Sequence, residues 1–467
     1  MFFQHIYDKT LSQGSYLIGC QKTGEALVID AKRDVDTYIT LAKQNGLRIT
    51  HVTETHIHAD FLTGTRELAA LTGAEIFLSD EGGPDWQYEF PHTGLRDGSV
   101  FHVGNLSLEV IHTPGHTPES ISFLLRDHPA TDEPVMLFTG DFVFVGDVGR
   151  PDLLETAAGL TGTKEQGAQE MYAALKKFAA LPSYLQVWPG HGAGSACGKA
   201  LGAVPSSTVG YELIHNWAFR YDHKPADFVR DLLDGQPEPP TYFAMMKRLN
   251  KVDRPLLTEV PKHPRLSPVE FLSERKRPET VVIDAREKKL SDQGAVSGAL
   301  VIPANNAFAT WAGWLVDYDQ QILLIATAEQ METLTRQLMR IGLDQVIGYL
   351  DAADVPDLGL ELEVADIIDL ESFKTYLDRD DTQVVDVRNL TEYRAGHIAG
   401  VQHLFVGTLE RHLDKIDRSK TLVIHCQSGM RAAIAHSVLA ANGIKNNRIY
   451  AGGMNEWSAK KCPIVRP

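Results

Sequence analysis

Cysteine is scarce in this chain: four residues among 467, at Cys20, Cys197, Cys426 and Cys462. So few thiols in so long a chain do not build a disulfide framework. They fit a reducing, cytoplasmic setting in which all four are thiols. Long apolar runs are also lacking, and none approaches the ~20 residues that span a bilayer. The N-terminal MFFQHIYDKTLSQGSYLIG has no basic segment followed by a long apolar stretch, so neither a secretory signal nor a membrane partner is expected. Positive charge is short, with 45 Lys and Arg against 61 Asp and Glu and a net charge of −16. That balance argues against a nucleic-acid or anionic-membrane surface. The chain does have length for about three domains, each able to bury a core.

Strand and helix signals alternate in the first part. SYLIGC and EALVID flank a Lys-Thr-Gly turn and read as a hairpin. DVDTYITLAKQNG has helical spacing and closes at Gly46. LRITHVTETH, AEIFLS, LSLEVIHT, SISFLL, PVMLFTGD and YLQVWPG read as strands, with the helix EQGAQEMYAALKKFAAL before the last. Residues 198–266 read as helices broken by prolines (QPEPP, DRP, VPKHP). A repeat follows. VVIDAR (281–286) and VVDVR (384–388) are near copies, as are ILLIATAEQM (322–331) and TLVIHCQSGM (421–430). Two units of βα alternation predict two similar parallel-sheet domains.

Imidazoles and carboxylates gather in four motifs: THIHAD (55–60), HTPGHT (112–117), TGD (139–141) and PGH (189–191). They fall where strands give way to loops, and their convergence from distant segments suits a metal ion. The ordered set resembles the metallo-β-lactamase fold superfamily over about residues 1–220. In that superfamily HxHxDH, a later His, a bridging Asp and a last His bind two metals. Carried over, His56, His58 and His116 would serve one ion. Asp60, residue 61 and His191 would serve the other, with Asp141 between them. Residue 61 is Phe here, so a two-metal clamp loses an imidazole.

The resemblance narrows to the persulfide dioxygenase branch, whose GRxD segment is similar to TGDFVFVGDVGRPDLL (139–154). It implies one Fe(II) per chain on His56, His116 and Asp141. Two imidazoles and a carboxylate on one face leave positions open for substrate and O₂. His58, Asp60 and His191 would then orient ligands and hold water, and Phe61 would keep a second ion out. Arg150 has two readings, a contact to an anionic substrate or an ion pair with Asp152. Cys197, in GHGAGSACGKALG (190–202), also has two: close chain approach, or a thiol at the pocket edge that passes sulfane sulfur. Cys20, at a strand end, reads as packed.

The last unit holds HCQSGMRAAIAHSVLAANG (425–443). An apolar strand ends, a short loop runs Cys426, Gln427, Ser428, Gly429, Met430, Arg431, and a helix follows to a Gly443 stop. A thiol is thereby placed where unpaired N–H groups and the helix dipole favour negative charge. The spacing Cys-x-x-x-x-Arg resembles the rhodanese family, whose cradle carries a sulfur atom between Cys426 and Arg431. VVDVRNLTEYRAGHIAGVQHL (384–404) and YAGGMNEWSAKKCPI (450–464) match its other two signatures. In the earlier repeat, alignment of ILLIATAEQM on TLVIHCQSGM puts Thr327 at the Cys426 position and Glu332 at the Arg431 position, which implies an inactive copy.

The expected fold class is multidomain α/β: an αββα metallo-β-lactamase fold followed by two rhodanese-like α/β domains. The expected segments are 1–220 for the dioxygenase domain, 221–266 for a helical extension and linker, 267–360 for the inactive rhodanese-like domain, and 361–467 for the active one. The resemblance to persulfide dioxygenase–rhodanese fusions implies oxidation of a low-molecular-weight thiol persulfide (of glutathione, coenzyme A or bacillithiol type) by O₂ to sulfite and thiol. It also implies sulfur transfer between persulfide and sulfite or thiosulfate at Cys426, and a homo-oligomer. The rival readings are a zinc-dependent glyoxalase II-like thioester hydrolase fused to a sulfurtransferase, and a non-enzymatic persulfide sensor.

Overall fold

Every position of the strand Gln13–Cys20 is buried, so both of its faces must be covered. The computed structural model, which describes all residues except 154, 156–161, 200, 222, 288–293, 361 and 467, shows how. The strand pairs with Phe2–Asp8 on one side and with Glu25–Ile29 on the other. Arg48–Thr53, Glu75–Ser79 and Thr93–Leu95 complete a six-stranded sheet. A second six-stranded sheet runs Ser207–Thr208, Gln186–Pro189, Pro134–Gly140, Ile121–Asp127, Leu106–His112, Val100–Val103.

Alternation along the strands sorts the side chains into layers. Tyr16, Ile18, Leu27 and Ile29 of the first sheet meet Leu108, Val110, Phe123 and Phe138 of the second in one core. Leu17, Val28 and Val52 point the other way, onto Tyr38 and Ala42 of the helix Asp36–Gln44 and Leu68 of Thr65–Thr72. On the far face of the second sheet, Leu124, Leu137 and Val187 pack on Met171, Leu175 and Phe178 of the helix Lys164–Ala179, and Phe228 of Pro225–Leu233 joins them. The layers are helix, sheet, sheet, helix, the predicted αββα sandwich.

The chain divides into two units, Met1–Val260 with Met339–Gly342, and Pro261–Leu338 with Leu343–Pro467. The segment read from sequence as an extension and linker (221–266) therefore lies within the first unit as far as Val260. Its helix Phe243–Lys251 buries Phe243, Met246, Lys247 and Asn250.

The second unit holds two parallel sheets. One runs Leu300–Val301, Thr280–Asp284, Gln321–Ala326, Val346–Asp351; the other runs Asp366–Ile368, Asn447–Tyr450, Thr421–His425, Thr382–Asp386, Gln402–His403. The repeat extends to single hydrogen bonds. Arg286 grips Asp284 and donates to the Gly294 carbonyl. Arg388 grips Asp386 and donates to the Gly396 carbonyl.

The ladder corrects one alignment. Val282 pairs with Leu323 and Asp284 with Ile325, whereas Val384 pairs with Val423 and Asp386 with His425. Cys426 is thus matched by Ala326, one place before Thr327. The earlier loop has one more residue before its helix begins at Met331, which string similarity conceals. Neither residue is a thiol.

Among the described residues no helix is long and apolar enough to cross a membrane. Position 154 of the 139–154 stretch, position 200 of the 190–202 stretch and positions 361 and 467 of the last predicted segment lie outside the described residues.

Candidate metal centre and sulfur-carrying loop

The four histidine and aspartate motifs come together because each follows a strand of the sandwich. THIHAD follows Arg48–Thr53, HTPGHT follows Leu106–His112, Asp141 directly follows Pro134–Gly140, and His191 comes just after Gln186–Pro189. Gly140 lets the first and third loops meet. Its φ is +50°, and a β-carbon there would lie 2.3 Å from Thr55 Oγ1, so no larger residue fits.

One ligand atom each from His56, His116 and Asp141 lies within 4.8 Å of the others. His116 Nε2 is 3.5 Å and His56 Nε2 is 3.8 Å from Asp141 Oδ2. Each ring is fixed through its other nitrogen. Thr55 Oγ1 lies 3.0 Å from His56 Nδ1, and the Arg150 carbonyl lies 3.0 Å from His116 Nδ1. His191 is held likewise by the Ser12 carbonyl. Among the described residues the inward atoms lack partners: His56 Nε2, His58 Nδ1, His191 Nε2 and both carboxylate oxygens of Asp141 and of Asp60 are buried without a hydrogen bond. Buried polar atoms left unpaired are costly, and a cation would satisfy them. The residues therefore fit a metal ion.

The electrostatics agree. Burial, with the neighbouring imidazoles, holds His56 well below its ordinary pKa. Burial, with the Lys247 ammonium, does the same to His116. Both rings are neutral near pH 7, the form that binds metal. Burial pushes Asp141 up to about 6.

His58 is not one of the trio: its ring lies 4.1 Å from that of His56, and its Nδ1 is buried 3.9 Å from Asp60 Oδ1. Its Nε2 lies 3.1 Å from Asp30 Oδ1, and although burial opposes it, Asp30 and Asp60 raise its pKa to about 9. Asp30 also accepts from Thr55 N and Thr55 Oγ1, so one carboxylate orients His58 and, through Thr55, His56. Asp30→Asn is expected to weaken metal binding about 10–100-fold, the usual cost of losing a group that orients ligands; titration against a coloured chelator measures it.

Asp60 and His191, read from sequence as supporting groups, form a second cluster with Cys197; the three ligand atoms lie within 4.8 Å of one another. The Cys197 thiol is buried, and burial together with Asp141 and Asp60 raises its pKa well above the ordinary range. Phe61 is fully buried with its ring 4.5 Å from that of His58 and supplies no ligand. For Arg150 the structure selects the ion pair. Its guanidinium donates twice to Asp152 and once each to the Ala196 and Pro237 carbonyls. Its buried side chain braces three segments, and only its carbonyl reaches the cluster. Cys20 packs in the core between the sheets and accepts from Asn105 N.

Several supporting residues are invisible in the motifs. Glu119, two residues past HTPGHT, accepts from Ile57 N and Thr117 Oγ1 and ties two ligand loops together. Asn250 donates to the carbonyls of His58 and Phe61 and accepts from Thr63 N. The acid ending LVID at Asp30 was a usable signal; nothing local to Asn250 was.

In the second unit, Cys426 follows the strand Thr421–His425 and is buried. Gly429 N donates to its Sγ at 3.1 Å. Gly429 has φ +90° and precedes the helix Met430–Ala441, a turn that glycine adopts freely. The Cys426 and Gln427 carbonyls accept from Met454 N and Asn455 N, and Gln427 Nε2 donates to Asn455 Oδ1. Arg431 is paired by Glu392, at 2.8 Å through Nη2 and also through Nη1. Ser428 and Met430 complete the turn, and the Met430 side chain is exposed. His425 is fully buried beneath it.

Two family models match the chain: the metallo-beta-lactamase superfamily over residues 10–191 and the rhodanese-like domain over residues 369–460. A crystal structure of a metallo-beta-lactamase from Staphylococcus aureus subsp. aureus COL is 44% identical, with a TM-score of 0.70, over 75% of this chain and 99% of that one. The persulfide dioxygenase ETHE1, mitochondrial, of Bos taurus is 33% identical over 187 residues, 38% of this chain and 63% of the relative. A hydroxyacylglutathione hydrolase of Polaromonas sp. is 34% identical over 178 residues, 38% of this chain and 61% of the relative. The chain thus spans less than two thirds of either curated relative. With a near-complete match to the staphylococcal structure at that identity, the chain belongs to the metallo-beta-lactamase superfamily, and a rhodanese-like domain follows at its C-terminal end.

Proposed function

We propose that the chain is a bifunctional sulfur enzyme, a persulfide dioxygenase joined to a sulfurtransferase, working in a reducing cytoplasm where its four cysteines stay free thiols. The observation that carries this reading is the buried, converging trio His56, His116 and Asp141 beside a residue 61 that cannot ligate. The first site would convert RSSH, O₂ and H₂O to RSH, sulfite and two protons. Bound Fe(II) would supply redox chemistry and open positions for O₂ and sulfur. The protein's part is orientation and exclusion of water. Thr55 and the Arg150 carbonyl aim the two imidazoles, burial keeps them neutral, and Asp141 brings the negative charge.

The second site would carry sulfur. The Cys426 thiolate attacks the terminal sulfur of RSSH, the S–S bond breaks, and RSH leaves. The Cys426 persulfide then gives that sulfur to sulfite, forming thiosulfate and restoring the thiolate. The reverse reaction uses the same atoms. Joining both sites in one chain raises the local supply of the shared sulfite.

Similarity to a hydroxyacylglutathione hydrolase favours a second reading, thioester hydrolysis on two zinc ions. Phe61 weighs against it, although the Asp60, His191 and Cys197 group offers three donors. One experiment separates the two: anaerobic iron loading, metal counting, then O₂ uptake across glutathione, coenzyme A and bacillithiol persulfides with sulfite and thiosulfate measured. One iron per chain and persulfide-dependent O₂ uptake are expected. Two zinc ions with thioester hydrolysis and no O₂ uptake would overturn the proposal.

A further inference from the structure

Lys247 arrives at the metal centre from the helix Phe243–Lys251, far from every histidine motif in sequence. Its residue is 5% exposed, and its Nζ has no hydrogen-bond partner among the described residues. The ammonium lies 4.7 Å from the centroid of the Trp86 ring, a contact that offsets only part of the cost of burying a charge. Asn250, three residues further along the same helix, donates to the carbonyls of His58 and Phe61. The helix face that carries Lys247 therefore lies against the ligand loop. Burial lowers Lys247 to about 8, so it is still largely positive at neutral pH.

A buried cation with three unused N–H donors beside a metal cluster has a chemical meaning. The clusters already contain the negative side chains of Asp60 and Asp141, and neither pairs with Lys247. Trp86 also helps wall a cavity of about 360 Å³ together with Pro114 and Pro118, on either side of His116. That volume suits a small organic molecule, and Trp86 is the side chain it shares with Lys247.

We propose that Lys247 is the anion-holding residue of the metal centre, donating to the negatively charged sulfur end of the substrate and to the sulfur oxyanion product. The proposal rests on the dioxygenase reading for the identity of that anion, but not for the existence of the site.

The test uses the full chain, loaded with iron under argon and carrying Cys426→Ser so that the transfer loop does not compete. Sodium sulfite is the probe, titrated calorimetrically. Lys247→Met is expected to weaken sulfite binding at least about tenfold, the effect of losing a charged hydrogen bond. Lys247→Arg keeps the charge but not the compact ammonium and should bind sulfite more tightly than the Met variant. Iron content should match the parent in both, and the Met variant, relieved of a buried unpaired charge, should melt at or above the parent. Equal sulfite affinity in the parent and the Met variant overturns the proposal. If the Met variant does not fold, sulfite-soaked crystals of the parent decide. An oxyanion within hydrogen-bond reach of Nζ supports the assignment, and sulfite bound elsewhere or not at all refutes it. Loss of sulfite binding in Lys247→Met without O₂ uptake on any persulfide would keep the anion site and remove the dioxygenase reading. O₂ uptake with unchanged sulfite affinity would do the opposite.

Discussion

Asp141→Asn is expected to yield a folded chain that no longer retains iron, with persulfide-dependent O₂ uptake lost. The loss should exceed the about 10–100-fold cost of removing a group that only orients a ligand, because Asp141 is the one carboxylate in the trio with His56 and His116. Stability distinguishes this result from misfolding. Burial raises the Asp141 carboxyl to about 6 from an ordinary value of 3.8. A carboxyl raised in the folded state binds its proton more tightly there. Its contribution is present below about pH 4 and is lost as pH rises through about 6. Without metal at pH 7 the wild-type chain carries that penalty, and Asn does not. The metal-free variant should therefore melt at or above the temperature of the metal-free wild type. Added iron should raise the wild type alone, since only a protein that binds the ion gains from it. A variant that melts well below the metal-free wild type would mean that Asp141 holds the fold rather than an ion.

The same residue illustrates what the sequence made legible. His56, His116, Asp141 and His191 each stand at a strand end, and buried strands with Gly and Pro turns announce themselves in a string. The two parallel sheets followed from the VVIDAR and VVDVR repeat, whereas the αββα layering was implied by the resemblance that the four motifs carry. What stayed hidden depends on tertiary approach. Asn250 reaches the ligand loop at His58 across 192 residues of chain, and a helix surface gives no sign of which face meets a site. Arg150 could be placed only by finding its partners, Asp152 and the carbonyls of Ala196 and Pro237. Cys197 kept two readings in the sequence because only the fold brings the stretch it shares with His191 against Asp60. The shift from Thr327 to Ala326 needed the sheet register, since one inserted loop residue leaves the flanking strings nearly identical.

Cys426→Ser is expected to abolish sulfur transfer between thiosulfate or a persulfide and a thiol or cyanide acceptor, by at least about 10³-fold, since the nucleophile itself is removed. Serine keeps the size and the hydrogen bond from Gly429 N, now made to Sγ at 3.1 Å, so the loop should hold its shape. It cannot form the S–S bond that stores the atom. O₂ uptake and sulfite release should persist in the iron-loaded variant, because no residue of the trio depends on Cys426. Supplied with persulfide and O₂, the wild type should therefore release thiosulfate, and the variant should accumulate sulfite instead. Sulfite and thiosulfate, resolved by chromatography after thiol derivatisation, give the answer in one assay. A persulfide sensor would show no catalytic transfer even in the wild type, which rejects that rival independently. If O₂ uptake disappears with Cys426 in a folded, iron-loaded protein, the division of labour between the two sites is wrong, and sulfur must pass through Cys426 before it is oxidised.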